Sequence, residues 1–245
     1  MPESLTGKVA LVTGSSSGIG AATARALAAQ GAVVVVNSVS ATEAGRALAS
    51  ELPGASYVQA DIADEGQAQD LVARAVANHG RLDILVNNAG TTAVIPHPDL
   101  EAATPEVWRR IFDVNVIGTW QVTVAAVPHL RASGDGVVVN VSSMAGHTTR
   151  GSSIPYATSK AAVSHMTELL ANVVGPEIRV NAVAPGLVDT PWTADWDVVR
   201  EFVRAMAPLQ RIGTPEDVAH VIVGLVGARY VTGEIVLVDG GLHVR

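Results

Sequence analysis

The chain has 245 residues, of which 48% are hydrophobic and only 16% are charged, and its formal net charge is −7. No run of lysine and arginine occurs, so the sequence lacks the basic surface that nucleic-acid binding requires, and with no cysteine it has neither disulfides nor thiolate nucleophiles. The mean hydropathy of +0.31 indicates a large interior or apolar surface buried between subunits, so we expect an oligomer.

The amino-terminal segment carries no targeting signal. It has no basic region followed by an apolar one, and no run of about 18 apolar residues follows it. We therefore expect a cytoplasmic protein that does not contact membranes.

Short apolar runs and helical segments alternate from one end of the chain to the other. The pattern predicts strands at 8–13, 32–37, 57–60, 82–86, 137–141, 178–184 and 233–241, and helices at 21–30, 41–52, 64–78, 104–130, from 155 and from 214. Continuous apolar strands suit a sheet that is covered on both faces. The predicted fold class is α/β: a Rossmann-type, doubly wound, seven-stranded parallel sheet with helices on both faces, formed by residues 1–245 as a single domain.

A glycine-rich turn follows the first predicted strand. Glycines here let the backbone turn sharply and approach a pyrophosphate, while the free N–H groups and the positive end of the next helix face the anion. A tight turn without a ligand would give the same pattern. The candidate phosphate-binding residues are Gly14, Ser16, Ser17, Gly18, Ile19 and Gly20.

The tip of the second strand carries no acid. An NAD enzyme would commonly place a carboxylate there to hold the ribose 2′-hydroxyl. In its place stand Asn37, Ser38 and Ser40, which could donate hydrogen bonds to a 2′-phosphate, so NADP(H) fits better than NAD(H). No arginine or lysine lies at the tip, and a plain polar loop is the alternative.

Polar residues follow two further strands. Asp61 could accept a hydrogen bond from an adenine amino group or could cap the next helix. The amides in Asn87-Asn88-Ala89-Gly90 stand where ligands meet a parallel sheet, although an ordinary turn would also use them. Asn115 lies within an apolar helical stretch, where a buried amide must be hydrogen-bonded, either for packing or for holding a water.

The stretch from Ser143 to Lys160 carries the candidate chemistry. If Pro155 opens a helix, Tyr156 and Lys160 stand four residues apart on one face. A nearby ammonium would favour the ionised phenol and make it a usable acid/base at neutral pH. Ser143, at a strand end, could aim a hydroxyl at the same substrate oxygen, with Ser142 as its rival. An ordinary amphipathic helix start is the alternative for the Tyr-x-x-x-Lys pattern.

Residues 187–212 form a segment without strand character that is rich in large apolar side chains. Trp192, Trp196, Phe202 and Met206 lie in it. We interpret it as a mobile apolar lid over the substrate.

Taken together, these motifs resemble the short-chain dehydrogenase/reductase family, and the resemblance covers essentially the whole chain. The motifs that carry it are Thr13-Gly14-x-x-x-Gly18-x-Gly20, Asn87-Asn88-Ala89-Gly90, Asn115, Ser143, Tyr156-x-x-x-Lys160 and Pro185-Gly186. The resemblance implies a hydride transfer between a nicotinamide cofactor and a carbonyl or alcohol, and a homotetramer.

The resemblance also implies a role for each motif residue. Tyr156 would be the acid/base, Ser143 would polarise the substrate oxygen, and Lys160 would hold the nicotinamide ribose and depress the pKa of Tyr156. Asn115 would position a water that relays protons to Lys160. The further residues implied at the cofactor are Asp61, Ile62, Asn88, Ala89, Gly90, Pro185, Gly186, Val188 and Thr190.

The predicted substrate pocket is mostly apolar, which favours a hydrophobic ketone over a sugar. Its expected walls are Ala93, Val94, Ile95, Ser143, His147, Thr149, Ile154, Leu187 and Trp192. His97 and His147 lie in loops that should border it, but the seven histidines show no ligand spacing, so no metal site is predicted.

We therefore expect an oxidoreductase that interconverts a ketone and a secondary alcohol. A 3-oxoacyl-(acyl-carrier-protein) reductase is the alternative, although an acidic protein with no arginine just before the sixth strand suits an acidic carrier poorly. Two other classes of protein are the remaining alternatives. The intact Ser-Tyr-Lys-Asn set argues against a catalytically silent dinucleotide-binding regulator. A sugar-nucleotide epimerase would need a larger carboxyl-terminal domain than this chain has.

Overall fold

The computed structural model describes residues 4–244, which form a three-layer α/β domain. Its seven strands are β1 (Val9–Val12), β2 (Val33–Ser38), β3 (Ser56–Gln59), β4 (Ile84–Asn87), β5 (Gly136–Val141), β6 (Ile178–Pro185) and β7 (Ile235–Val238). All pair in parallel in the order β3-β2-β1-β4-β5-β6-β7. The predicted doubly wound, seven-stranded parallel sheet is confirmed.

The helices cover both faces of this sheet. They are α1 (Gly18–Ala29), α2 (Thr42–Glu51), α3 (Glu65–His79), α4 (Pro105–Phe112), α5 (Thr119–Ala132), α6 (Ile154–Val174), α7 (Asp197–Met206) and α8 (Pro215–Gly227). One apolar core lies between the sheet and the layer that contains α1 and α8, and a second lies on the opposite face beneath α3, α5 and α6. Central strand residues such as Leu11 and Val138 are fully buried, as continuous apolar strands require.

The strand order fixes where a ligand can enter. The chain runs outward from β1 through β2 to β3 and then crosses back to β4, so β1 and β4 are neighbours whose connections leave in opposite directions. A crevice opens at such a point, outside the carboxyl ends of the strands. The glycine turn after β1, the tip of β2 and the amides after β4 all meet at this edge.

The helix predicted over 104–130 has a local irregularity. It starts as expected after Thr104, but residues Asp113–Gly118 form a π-helical segment between α4 and α5. A π-helical turn holds one more residue than an α-helical turn, and such segments often occur at functional sites. Asn115 lies in this segment and is 1% exposed, so the expected buried amide is present.

Helix α1 begins earlier than the sequence suggested. It includes Gly18 and Gly20, which were predicted to lie in the preceding turn. Other helices begin at capping side chains: Asp64 accepts from the Gln67 N–H ahead of α3, and Thr214 and Asp217 form a reciprocal capping box at α8.

By length and composition alone, the helical stretch Pro105–Ala132 is apolar enough to cross a membrane. Helices from the cores of soluble proteins pass the same test, and the α5 part of this stretch packs against α3 and the sheet.

Two helical glycines allow a matched test of the turn after β1. A Cβ on Gly20 would lie 2.5 Å from both the Gly14 carbonyl oxygen and the Asn88 Nδ2, whereas a Cβ on Gly224 of α8 meets nothing within 4 Å. We expect Gly20→Ala to lower the free energy of unfolding by about 2 kcal/mol through this clash. Gly224→Ala should raise it by about 1 kcal/mol through helix propensity alone. Urea unfolding measures both, and equal stabilisation by the two substitutions would contradict the close packing at Gly20.

Candidate active site

A large cavity of about 1230 Å³ opens at the carboxyl edge of the sheet. Every residue predicted at the cofactor lines it except Gly20, whose role is the close packing described above. The cavity continues from the glycine turn, past Ser143, Tyr156 and Lys160, to the segment 187–203. It therefore joins the predicted cofactor and substrate sites in one space.

The glycine turn forms a cradle suited to a pyrophosphate. Gly14 and Gly18 have φ of +59° and +54°, a conformation that side chains disfavour, and a Cβ on Gly14 would lie 2.8 Å from the Ala89 Cα. Ser16, Ser17 and the first residues of α1 face the cavity. Free N–H groups at a helix start then point at the space where an anion would lie. The residues present thus fit the phosphates of a dinucleotide.

Asn37 has a different role from the one predicted. Its Nδ2 donates to the Val58 and Ala60 carbonyls at 3.2 Å each, and its Oδ1 accepts from the Gly14 N–H at 3.2 Å. The amide is therefore used within the protein and cannot donate to a 2′-phosphate. It instead connects the ends of β2 and β3 to the glycine turn, which the sequence could not reveal because strand-end amides serve both purposes.

Asn88 and Asp61 support the same edge. The Asn88 Nδ2 donates to the Thr13 and Gly14 carbonyls at 2.9 Å each, which holds the glycine turn against the end of β4. Asp61 lines the cavity and accepts from the Ala63 N–H, whereas the cap of α3 is Asp64. Capping of α3 by Asp61, one of the two readings of that residue, is therefore wrong.

The two serines after β5 point in different directions. The Ser142 hydroxyl is buried and donates to the Lys160 carbonyl at 2.8 Å. The Ser143 side chain lines the cavity, where it interacts with the Tyr156 phenol, and its Oγ accepts from the Ala145 N–H at 3.1 Å. The choice of Ser143 over Ser142 on spacing to Tyr156 therefore agrees with the geometry.

Tyr156 lies in the first turn of α6, which begins at Ile154, one residue before the predicted start at Pro155. Ser153 caps the helix by accepting from the Tyr156 N–H, and the phenol is half-buried in the cavity wall with its ring edge-on to Trp192. Burial raises the pKa of Tyr156 above its usual value, and the hydrogen bond from Ser143 partly opposes this. The expected lowering of this pKa by Lys160 is not present here, because desolvation dominates. The phenol keeps its proton at neutral pH.

Lys160 is an ammonium buried at the centre of the site. It is 4% exposed, and its Nζ donates to the Val141 carbonyl at 2.8 Å, which ties α6 to the end of β5. The Nζ lies 5.9 Å from the centroid of the Tyr156 ring. Burial lowers the pKa of Lys160 to about 8. The side chain therefore carries its charge near neutrality but loses it in mildly alkaline solution.

The Asn115 side chain bonds to protein on every side. Its Oδ1 accepts from the Thr91 N–H at 2.8 Å, and its Nδ2 donates to the Thr91 carbonyl and the Ser159 hydroxyl. It does not line the cavity, but a Cβ on Gly90 would lie 3.3 Å from its Oδ1 and 3.5 Å from the Lys160 Nζ. The amide thus fixes the loop after β4 against α6. A water relay through Asn115 stays a prediction.

The structure places only some of the predicted substrate-pocket residues at the cavity. Val94, Ile95, Ser143, Leu187 and Trp192 line the cavity, whereas Ala93, His147, Thr149 and Ile154 do not. The His147 Nε2 instead bonds to the Ser164 hydroxyl at 2.9 Å, on the far side of the turn that carries Ser143. His97 does not line the cavity either. The sequence places these residues in loops close to the cavity, but it does not show whether their side chains point into it.

The structure adds cavity residues that the sequence did not single out. Among them are Arg110 of α4, Val114 of the π-helical segment, Met144, Arg150, Gly151 and Ser152 between β5 and α6, and Val199 and Val203 of the lid. Of the predicted lid residues, Trp196 and Phe202 line the cavity and Met206 does not. In the sequence, the only sign of these cavity residues is that Arg110 and Val114 are four residues apart, and so on one helix face, just before Asn115.

Comparison with known proteins identifies chains that are similar over nearly the whole length of this one. A family model described as enoyl-(acyl carrier protein) reductase matches residues 14–243. The ketoacyl reductase 2 named for the granaticin polyketide synthase of Streptomyces violaceoruber is 60% identical over 239 residues, 96% of each chain. The 3-oxoacyl-[acyl-carrier-protein] reductase of Thermotoga maritima is 40% identical over 98% of this chain and 99% of its own.

A solved structure agrees closely as well. The short-chain dehydrogenase/reductase of Brucella melitensis superposes with a TM-score of 0.92 at 30% identity, over 99% of both chains.

The lowered pKa of Lys160 predicts a pH-dependent cofactor affinity. An ammonium donates to ribose hydroxyls better than a neutral amine, so binding should favour the protonated side chain. We expect the Kd for NADH, which has no group titrating between pH 7 and 9.5, to rise as the pH passes about 8.

Fluorescence titration across that range measures the effect, with Lys160→Met as the comparison. The Lys160→Met protein should bind more weakly, with a flat profile. If the Kd of the Lys160→Met protein rose with pH in the same way, the titrating group would be one other than Lys160.

Proposed function

The chain belongs to the short-chain dehydrogenase/reductase family, and from that premise we propose that it reduces the ketone of an apolar substrate to a secondary alcohol with NADPH. Members of the family are oxidoreductases that act on CH–OH groups with an NAD(P) cofactor, and this chain is one of them. The observation that carries the proposal is the convergence of Ser143, Tyr156 and Lys160 on one cavity beside the glycine cradle.

Tyr156 is the proton donor in this proposal. When bound, the reduced nicotinamide supplies the hydride to the carbonyl carbon. The carbonyl oxygen takes the Tyr156 proton and accepts a hydrogen bond from Ser143. A phenol that burial keeps protonated suits the direction of reduction, because the proton is present when the oxygen develops charge. Ser143 and Tyr156 line the same cavity and interact with each other, which supports a shared contact of both hydroxyls with the substrate oxygen.

Lys160 serves the cofactor and the phenol together. One of its N–H groups is used by the Val141 carbonyl, which leaves the others for ribose hydroxyls. Its charge, held in a desolvated place near the Tyr156 ring, stabilises the phenolate left after proton transfer.

A cation close to the tip of β2 supports NADPH over NADH. The Arg46 guanidinium lies 5.5 Å from the centroid of the Tyr57 ring, and the Tyr57 hydroxyl shares a hydrogen bond of 2.9 Å with the Ser38 hydroxyl. Ser38 lines the cavity, and no acid stands at the tip. Arg46 lies on α2, beyond the tip itself, so the sequence pattern there missed it. Arg46 does not itself line the cavity, so a contact with a 2′-phosphate requires its side chain to turn from Tyr57 towards Ser38.

An apolar substrate follows from the walls of the cavity. Trp192, Leu187, Ile95, Met144 and Phe202 surround the space beyond Tyr156. Apolar walls with a few convergent polar groups are typical of sites for hydrophobic small molecules.

A 3-oxoacyl group on an acyl carrier protein is the second candidate. The 60% identity to a ketoacyl reductase of a polyketide synthase favours it. The acidic charge of the chain opposes it, because carrier proteins are acidic as well.

We also propose a homotetramer. Large apolar side chains are exposed on the π segment, α5 and α6, among them Ile117, Trp120, Val124, Leu169 and Val173. Contiguous exposed apolar residues of this kind favour burial against another subunit. Light scattering of the protein at micromolar concentration tests it, and a monomer would contradict it.

A ketone panel tests the reaction. We expect NADPH oxidation with aryl ketones or steroids, at higher kcat/KM than with a 3-oxoacyl carrier protein. Faster turnover of the carrier-bound substrate than of its free thioester would favour the second candidate. If NADPH raises the melting temperature but no carbonyl is reduced with either cofactor, the protein is a dinucleotide-binding regulator instead.

Cofactor choice has its own test in Arg46→Ala. Loss of the cation should raise the Kd for NADPH about fivefold, or about 1 kcal/mol, and leave the Kd for NADH unchanged. Arg25→Ala is the matched control, since Arg25 is an exposed arginine on α1 that pairs with Glu51 at 2.7 Å. Calorimetry measures both cofactors, and an equal effect of Arg46→Ala on the two would contradict a 2′-phosphate contact.

A further inference from the structure

Arg150 lies in the cavity wall without a counter-charge. It is on the loop between Ser143 and Tyr156, and its guanidinium carbon lies 5.1 Å from the centroid of the Phe202 ring on α7. Both residues line the cavity, and both are solvent-exposed at its rim. The loop and the lid thus meet at a cation stacked on an aromatic face.

The charge of Arg150 is unpaired within residues 4–244. None of the carboxylates there forms an ion pair with it, although Asp195 and Asp197 of the lid also line the cavity. The neighbouring lid arginine, Arg200, is by contrast paired with Asp189 at 2.6 Å. Stacking on a ring uses the face of a guanidinium and leaves its in-plane N–H donors for a bidentate acceptor.

The backbone that carries Arg150 is fixed relative to the reacting groups. The Ser152 carbonyl accepts from the Ile95 N–H at 2.8 Å, and the Ser152 and Thr92 hydroxyls are 2.6 Å apart. The next residue, Ser153, caps α6 one turn ahead of Tyr156. A substrate whose carbonyl meets Tyr156 would therefore find the Arg150 charge at a defined place at the mouth.

We propose that Arg150 binds an oxyanion, a carboxylate or a phosphate, at the end of the substrate remote from the ketone. The inference rests on the proposed function and narrows it to ketones with an anionic group. Apolar walls receive the carbon skeleton, and the planar fork of the guanidinium receives the anion.

The subsite is tested by ligand binding to the enzyme saturated with oxidised cofactor. That complex cannot reduce a ketone, so binding is measured without turnover. Calorimetry compares 4-acetylbenzoate with 4-acetylbenzamide, and 3-oxobutanoyl-pantetheine 4′-phosphate with 3-oxobutanoyl-pantetheine. We expect the charged member of at least one pair to bind about tenfold more tightly. The pair that shows the preference identifies the anion as a carboxylate or a phosphate.

Variants assign the preference to Arg150. Arg150→Gln should bring the ratio of the two Kd values close to one, and Arg150→Lys should restore part of it. Arg74→Gln, which removes an exposed charge on α3, should leave the ratio as in the wild type. No preference in either pair, or a preference that survives in Arg150→Gln, overturns the subsite. Failure of the reduced cofactor to turn over any of the four compounds would instead count against the proposed reaction.

Discussion

The site depends on a buried ammonium. Lys160 stands on α6 beneath the cavity, and the Val141 carbonyl at the end of β5 is the acceptor that compensates part of its desolvation. Burying a charge is costly, so the groups around it must be held in place to meet it. The Ser142 hydroxyl binds the Lys160 carbonyl, and a Cβ on Gly146 would lie 2.7 Å from the Lys160 carbonyl carbon. The turn that carries Ser143 is thereby fixed against the helix that carries Tyr156.

Much of this arrangement could be predicted from the sequence, because it depends on local rules. Alternating apolar runs and helical segments specify the doubly wound sheet, and parallel strands place their carboxyl ends at one edge. The four-residue spacing of Tyr156 and Lys160 and the strand-end position of Ser143 bring those three side chains together. The glycine turn follows from the conformations that only glycine adopts readily at Gly14 and Gly18.

The rest could not be predicted because it depends on side-chain direction and on competition for hydrogen bonds. Asn37 has donors for a phosphate, but strand-end carbonyls in its own sheet take them. His147 lies four residues after Ser143, yet its ring turns to Ser164 and away from the cavity. The direction of the Tyr156 pKa shift is decided by burial, which outweighs the opposing effect of Ser143. Arg150 lies on a loop that carries no recognisable motif, so the sequence gave no sign that it lines the cavity.

In the proposed site, Tyr156 transfers a proton and Lys160 holds the cofactor. Turnover and cofactor Kd, measured together for Tyr156→Phe and the wild type, separate these two roles. Phenylalanine keeps the ring and removes only the hydroxyl, so we expect a loss of ketone reduction of at least about a thousandfold, with cofactor affinity within about twofold of the wild type. Substantial turnover in Tyr156→Phe, or a cofactor affinity lost together with the activity, would contradict it.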